Sequence, residues 1–519
     1  MHIGVDVGGT NTDAALIDGE KVLASIKSPT TEDVASGVIA AVRGLLAETR
    51  TSPVDMTSVM IGTTQFTNAF VEGKKLIPVA TFRAALPATE SLLPMVDFPE
   101  HLRAVIGQTA YLLGGGYEFD GREIRPFDED AAWEAARDMN NRGIRSAAVS
   151  GVFSPINGSM ERRIADIIQE VAPGTHITLS SEIGRVGLIE RENATIMNAS
   201  LAELSTRVVG AFRDALQALK FTCPFYISQN DGTLMTAEFA EKYPVLTFAS
   251  GPTNSMRGAA FLSGVKDGIV IDIGGTTSDV GVLKDGFPRE SALAVDIGSV
   301  RTNFRMPDIL AIGLGGGSIV RETDDGVTVG PDSVALRLTE KALVFGGDTL
   351  TTTDIAVAAG LADIGNRHKV AHLRQDLVDA ALGEIHRLLE QAVDKVKSSQ
   401  GNVPVVLVGG GAILVNRDIG GASAVIRPEN AGVANAIGAG LAQVGGEVDK
   451  IFSYEQVGRE TALEQARTEA CERAIAAGAS AGTTEVISLD EVPLAYLPGG
   501  AVRIKAKAVG DLAATGDTP

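Results

Sequence analysis

The strongest constraint on this chain is a short pattern that it carries twice. Near the start it reads Gly4-Val5-Asp6-Val7-Gly8-Gly9-Thr10-Asn11-Thr12-Asp13, and in the middle Val270-Ile271-Asp272-Ile273-Gly274-Gly275-Thr276-Thr277-Ser278-Asp279. Each copy is an apolar strand, a Gly-Gly-Thr turn and a second apolar run, Ala14 to Ile17 or Val280 to Leu283. That order predicts a hairpin, because glycine tolerates the positive backbone angles of tight turns. Turns without Cβ atoms admit a phosphate, and their N–H and hydroxyl groups form an anion-binding nest. An aspartate at the strand end, Asp6 or Asp272, is a hard oxygen ligand for Mg²⁺, usually through water. One copy alone reads equally well as an ordinary Gly-turn hairpin. Two copies with the same Asp, Gly, Gly, Thr and Asp argue against that.

At 519 residues the chain has room for several domains. With 65 acidic against 45 basic residues it repels phosphate backbones and anionic membranes, which excludes nucleic-acid and membrane-surface binding as expectations. Cys223 and Cys471 have no Cys or His at ligand spacing, which fits a reducing cytoplasm. The longest apolar run, Val403 to Val415, is too short to span a bilayer, and no signal peptide opens the chain. The expectation is a cytoplasmic protein.

Between the hairpins, strands and helices alternate in a rhythm that predicts layered α/β domains. The apolar spacing predicts a helix over Thr31 to Glu48 and strands over Val59 to Ile61, Leu76 to Phe82, Ser146 to Val152 and Thr175 to Ser180. A long helix is expected from Arg191 to about Leu219, and strands over Phe225 to Gln229 and Val245 to Phe248. Gly62-Thr63-Thr64 closes the Val59 strand; its hydroxyls suit either a phosphate or polar substrate, or a helix cap. The run Gly315-Gly316-Gly317 implies close approach by a ligand or by another element. Asp354, after Thr351-Thr352-Thr353, suits an N-cap. Val403 to Val408 reads as a strand buried on both faces that ends in the glycine loop Gly409-Gly410-Gly411. Gly432, Ala436 and Gly440 form a smooth stripe expected to pack on a partner helix. The domains are expected over residues 1–181, 182–446 and 447–519, the last a small α/β unit with a disordered tail beyond Leu512.

Two Asp-x-Gly-Gly-Thr hairpins followed by a Val-Gly-Gly-Gly strand end resemble the sugar kinase, actin and chaperone ATPase superfamily. Five further motifs occur in order: Gly62-Thr63-Thr64-x-x-Thr67-Asn68-Ala69, Glu190-Arg191-x-x-x-Thr195-x-x-Asn198-Ala199, Ser250-Gly251-Pro252, Gly313-x-Gly-Gly-Gly-Ser318 and Thr353-Asp354. Together they resemble the ATP-binding A subunit of the hydantoinase/oxoprolinase family, from Met1 to about Gly445. The tail, with Val492-Pro493-Leu494-Ala495-Tyr496, resembles the end of its shorter members.

The resemblance implies two actin-like (ribonuclease H-like) α/β domains facing a cleft, and ATP-dependent opening of a hydantoin, lactam or imide. It puts Asp6 and Asp272 on Mg²⁺ as the catalytic pair, and ATP phosphates on Gly8, Gly9, Thr10, Asn11 and Thr12 and on Gly274, Gly275, Thr276 and Thr277. Gly409, Gly410 and Gly411 would lie beside adenosine, and Thr63, Thr64, Asn68, Gly315 and Gly316 beside substrate. Asp13 and Asp279 would stabilise the turns or reach the metal through water. It also implies an oligomer with a B-type or other hydrolase subunit. Larger members carry histidines where this chain has Ile61 and Leu310, and another segment where it has Val334 to Phe345. A divergent branch with its own substrate is the expectation. A small-molecule kinase and an ATP-driven remodelling factor are the rivals that keep both hairpins.

Overall fold

A computed structural model describes residues 1–8, 11–19, 21–29, 34–291, 294–324, 326–398, 400–441, 443–494, 497 and 499–513. Gly9 and Thr10 of the first turn, and Ala495 and Tyr496 of the tail motif, lie outside the described residues.

Both repeats form the expected antiparallel hairpins. His2–Val7 pairs with Asn11–Asp18, and Gly268–Ile273 with Ser278–Lys284. Each turn closes with the same bond: Gly8 N–H donates to Asn11 O at 3.0 Å, and Gly274 N–H to Thr277 O at 2.9 Å. Each hairpin heads its own sheet, with a buried parallel strand at its side, Ser58–Thr63 in the first and Val403–Val408 in the second. Apolar side chains bury each sheet under its helices, with Val5, Leu16, Ile61 and Phe212 in one core and Ile271, Val280, Ile385 and Leu407 in another. These are two α/β lobes facing a cleft, as expected.

Sheet membership cuts across the boundaries expected at 181 and 446. The first lobe's sheet has nine strands, running from Lys21–Pro29 through the hairpin and Ser58–Thr63 to Phe225–Ser228 and Leu234–Thr236. It then takes in Gln443–Ser453, Ala501–Asp511 and Glu485–Pro493. The C-terminal stretch therefore extends the first lobe's sheet, with the helix Arg459–Ala476 packed on it through Ala462, Ala466, Ala470 and Ala474. A separate four-stranded sheet spans Ala80–Leu86, Thr109–Gly114, Ser146–Gly151 and His176–Leu179. The stretch from Leu86 to Gly121 supplies one of these strands and the helix Glu100–Ile106.

Other expectations shift with local chemistry. The long helix is two, Leu188–Ser200 and Ala202–Ala218, separated at Leu201. Val245 to Phe248, read as strand, falls largely in a 3₁₀ turn, Pro244–Thr247, that begins on its proline, which has no N–H for a ladder. Within the motif around Arg191, the side chains do structural work. Arg191 is fully buried and donates to Ser180 Oγ at 2.8 Å and to the carbonyls of Gly151, Arg185, Val186 and Gly187. Its neighbour Glu192 takes a two-pronged ion pair from buried Arg83, at 2.7 and 2.5 Å, which ties this helix to the four-stranded sheet.

The lobes meet through glycines. A Cβ on Gly258 would lie 1.9 Å from Ala434 O, and one on Gly438 1.8 Å from Asn254 O. The helices Ser250–Ser263 and Ala434–Ala439 therefore touch backbone to backbone. The stripe of Ala436 and Gly440 packs on the first strand at Gly4 and not on a helix, and a Cβ on Gly432 would meet open space. Among the described residues no helix is long and apolar enough to cross a membrane.

Candidate nucleotide site

The two hairpins open onto one cavity of about 450 Å³. Asp6, Gly8, Asn11, Asp13 and Lys27 line it from the first lobe; Asp272, Gly274, Gly275, Asp279 and Gly409 to Gly411 line it from the second. The helices between the lobes add Gly251, Pro252, Ser255 and Asn435.

Strand pairing puts the acids there. Asp6 faces Asp13 across the first hairpin and Asp272 faces Asp279 across the second, so each pair shares one face of its sheet. Asp6 and Asp13 are almost fully buried. Asn435 Nδ2 donates to Asp6 Oδ2 at 2.9 Å and to Asp13 Oδ2 at 3.0 Å, and Asn254 Nδ2 to Asp6 Oδ1 at 3.4 Å. Lys27 Nζ lies 2.7 Å from Asp13 Oδ2, while Asp13 Oδ1 is buried with no hydrogen-bond partner among the described residues.

Burial, and for some of them a neighbouring like charge, raises Asp6, Asp272 and Asp279. Burial first, then Asp13, pushes Asp6 up to about 6 against the pull of the two asparagines. Burial beside Asp272 pushes Asp279 up to about 7. Asp272 is raised by burial, less so because Ser255 donates to it and Lys27 lies near. Carboxylates crowded in this way, one with an orphaned oxygen, gain from a divalent cation. Among the described residues no three such side chains converge closely enough to ligate an ion alone. Mg²⁺ keeps waters and takes one or two carboxylates together with phosphate oxygens, a demand that Asp6 and Asp272, both lining the cavity, fit.

The glycines have distinct tasks. A Cβ on Gly409, whose φ is +83°, would strike Asp272 Oδ1 at 2.2 Å, and one on Gly411 would meet Ile273 Cγ2 at 2.3 Å. Gly410 faces open space. The triple glycine lies under the second turn: Gly316 N–H donates to Gly274 O at 3.0 Å and Gly317 N–H to Gly275 O at 2.7 Å. Gly316 also lines the cavity, whereas a Cβ on Gly315 would sit 2.6 Å from Thr276 N. Thr353 Oγ1 donates to Gly316 O at 2.7 Å. The N-cap of the helix Thr352–Ala358 is Thr351 and not Asp354; Asp354, three residues on, accepts from Thr351 N–H at 2.7 Å and completes a capping box.

Of the remaining residues singled out in the sequence, Thr12 is buried, Thr276 and Thr277 are exposed, and none of the three lines the cavity. Thr63 is buried and Asn68 exposed, both away from the lining; Thr64 packs behind Gly251. Ile61 is core, and Leu310 packs against the second lobe's core. Lys27, Ser255 and Asn435 were not legible as site residues, because only the meeting of separate elements brings them to the cleft.

Comparison with known proteins agrees with this architecture. Residues 2–172 match the hydantoinase/oxoprolinase N-terminal region and residues 191–366 match Hydantoinase/oxoprolinase. The alpha subunit of caprolactamase from Pseudomonas jessenii is 27% identical over 76% of this chain and 60% of its own length. The gamma subunit of acetophenone carboxylase from Aromatoleum aromaticum is 27% identical over 69% of this chain and 53% of its own. The beta subunit of acetone carboxylase from Xanthobacter autotrophicus is 27% identical over 74% and 58%. The chain thus spans 53% to 60% of the length of these curated relatives. The solved ATP-dependent caprolactamase from Pseudomonas jessenii superposes with a TM-score of 0.79 at 19% identity, over 100% of this chain and 88% of that one. Nucleotide-free acetone carboxylase gives 0.69 at 19%, over 99% and 88%. The chain belongs to the hydantoinase/oxoprolinase family.

Proposed function

We propose that the chain is the ATP-binding subunit of a cytoplasmic enzyme that activates a cyclic amide, such as a lactam, hydantoin or imide, for ring opening. The observation that carries this reading is the convergence of both Gly-Gly-Thr hairpins, with Asp6 and Asp272, on one cavity. An amide carbonyl is a poor electrophile, and transfer of the γ-phosphoryl to its oxygen gives an activated imidate that water opens. Such transfer needs alignment and charge neutralisation more than a protein nucleophile.

In this reading the turns at Gly8 and Gly274 hold phosphates, Gly409 to Gly411 border adenosine, and Asp6 and Asp272 hold Mg²⁺ through water. Bound Mg²⁺ would neutralise phosphate charge. Asn435 and Asn254 orient Asp6. Thr63, Thr64, Asn68, Gly315 and Gly316 remain the proposed substrate side. Apolar Ile61 and Leu310 offer no base, so the hydrolytic water is assigned to a partner subunit. The naming of these relatives as subunits supports an assembly of that kind.

A second reading has a specific observation behind it: two of the relatives are carboxylase subunits. The same phosphorylation would then activate a ketone and not an amide. ATP turnover by the chain, alone and with partner subunits, decides between them when lactams, imides and ketones are compared. Stimulation by lactams or imides supports the proposal, and stimulation by ketones alone replaces it. Turnover that responds only to a protein partner points to a remodelling factor.

A further inference from the structure

The two lobes carry matching rows of residues across the strands beside the cleft; the rows differ at both ends, and only one of those differences is a charge. In the second lobe, register across adjacent strands runs Val408, Asp272, Asp279, Ala311. In the first it runs Gly62, Asp6, Asp13, Lys27. Where the second lobe has a methyl group, the first has an ammonium. Lys27 is the one Lys or Arg among the described residues lining the cavity, against the carboxylates of Asp6, Asp13, Asp272 and Asp279.

We propose that Lys27 binds the γ-phosphoryl group of the nucleotide, so that the terminal phosphate points toward the first lobe. The inference rests on the reading of this cleft as an ATP site. A nucleotide triphosphate stays anionic after binding Mg²⁺, and a cleft lined with carboxylates repels it unless a cation is placed within reach. Among the described residues the rest of the lining offers the phosphates no positive charge. The ammonium is left for the group that carries the most charge.

The geometry allows this. Lys27 keeps 42% of its side chain exposed while its partner Asp13 keeps 3%. The carboxylate is thus fixed and the ammonium is open to the cavity. Of three N–H donors on Nζ, one serves Asp13 at 2.7 Å and two are left for phosphate oxygens. A lysine on a flexible stem acts as a movable point charge, which suits a group that is transferred during the reaction.

The test is calorimetric titration of the full chain with Mg·ATP and Mg·ADP, in the wild type, Lys27→Met and Lys27→Arg. Loss of a charge-assisted contact lowers affinity by about 10- to 100-fold. That loss is expected for ATP in Lys27→Met, with ADP changed by less than about 3-fold, and Lys27→Arg is expected to recover much of the ATP affinity. The pair Lys27→Met/Asp13→Asn removes both members of the ion pair and is expected to keep the ATP-selective loss. Equal weakening of ATP and ADP, or rescue by Asp13→Asn, would show that Lys27 only neutralises Asp13 and would overturn the inference while leaving the cleft an ATP site. A wild type that binds neither nucleotide would overturn both.

Discussion

Asn435 Nδ2 stands 2.9 Å from Asp6 Oδ2, across 429 residues of sequence. It also reaches Asp13 Oδ2 at 3.0 Å, so one amide from the helix Ala434–Ala439 bridges both acids of the first hairpin. Replacing it by alanine takes the shared donor from both carboxylates and makes Asp6, which that hydrogen bond holds down, harder to ionise. Asn435→Ala is therefore expected to weaken Mg·ATP binding by about tenfold or more, with the loss largest at low pH. Calorimetric titration at two pH values measures it. Unchanged affinity at both would show that Asn435 does not hold the acids in place.

Backbone contact between helices brings Asn435 and Asn254 to the acids, and it depends on having no side chain at the crossing. Gly258→Ala would set a methyl group 1.9 Å from Ala434 O, and neither backbone can yield cheaply. The expected cost is about 3 kcal/mol, read by denaturant unfolding. Gly210→Ala and Gly383→Ala are the contrast, since nothing lies within 4 Å of either new Cβ. These are helical positions, where alanine is expected to stabilise by about 0.5–1 kcal/mol. Equal effects at all three sites would refute the tight crossing.

Asp6 rises to about 6 and Asp279 to about 7 from an ordinary value of 3.8. Between about pH 4 and 7 the folded, nucleotide-free protein therefore holds protons that the unfolded chain has lost, and these two groups make stability fall as pH rises. Asp279→Asn cannot ionise and is expected to flatten that decline in melting temperature. Mg²⁺ binding needs the ionised acids, so its affinity is expected to climb through the same window, by at most about tenfold per pH unit for each proton released. If Asp279→Asn follows the wild-type profile unchanged, Asp279 is not the group titrating there.

The hairpins, the buried strand Val403–Val408 and the glycine loop after it were legible because each is specified locally, by alternation and by a turn only glycine tolerates. Asp6 and Asp272 were legible because they stand at the same place in both repeats. Lys27 and Asn435 carry no such signal. Lys27 is one lysine in a strand of mixed polarity, and Asn435 one amide among small apolar residues; only strand register and a helix crossing bring them to Asp13. The joining of Gln443–Ser453 and Ala501–Asp511 to the first lobe's sheet is likewise a pairing between distant segments, which composition does not encode. The break at Leu201 fell inside an unbroken apolar pattern, where no glycine or proline marked it.

Both lobes are required to hold one nucleotide if the cleft works as proposed. Titration of the chain with Mg·ATP should give a single binding site per chain, abolished by Asp6→Asn and, separately, by Asp272→Asn, while the melting curves without nucleotide stay cooperative. Absence of heat in the wild type, or full affinity in either variant, would contradict it.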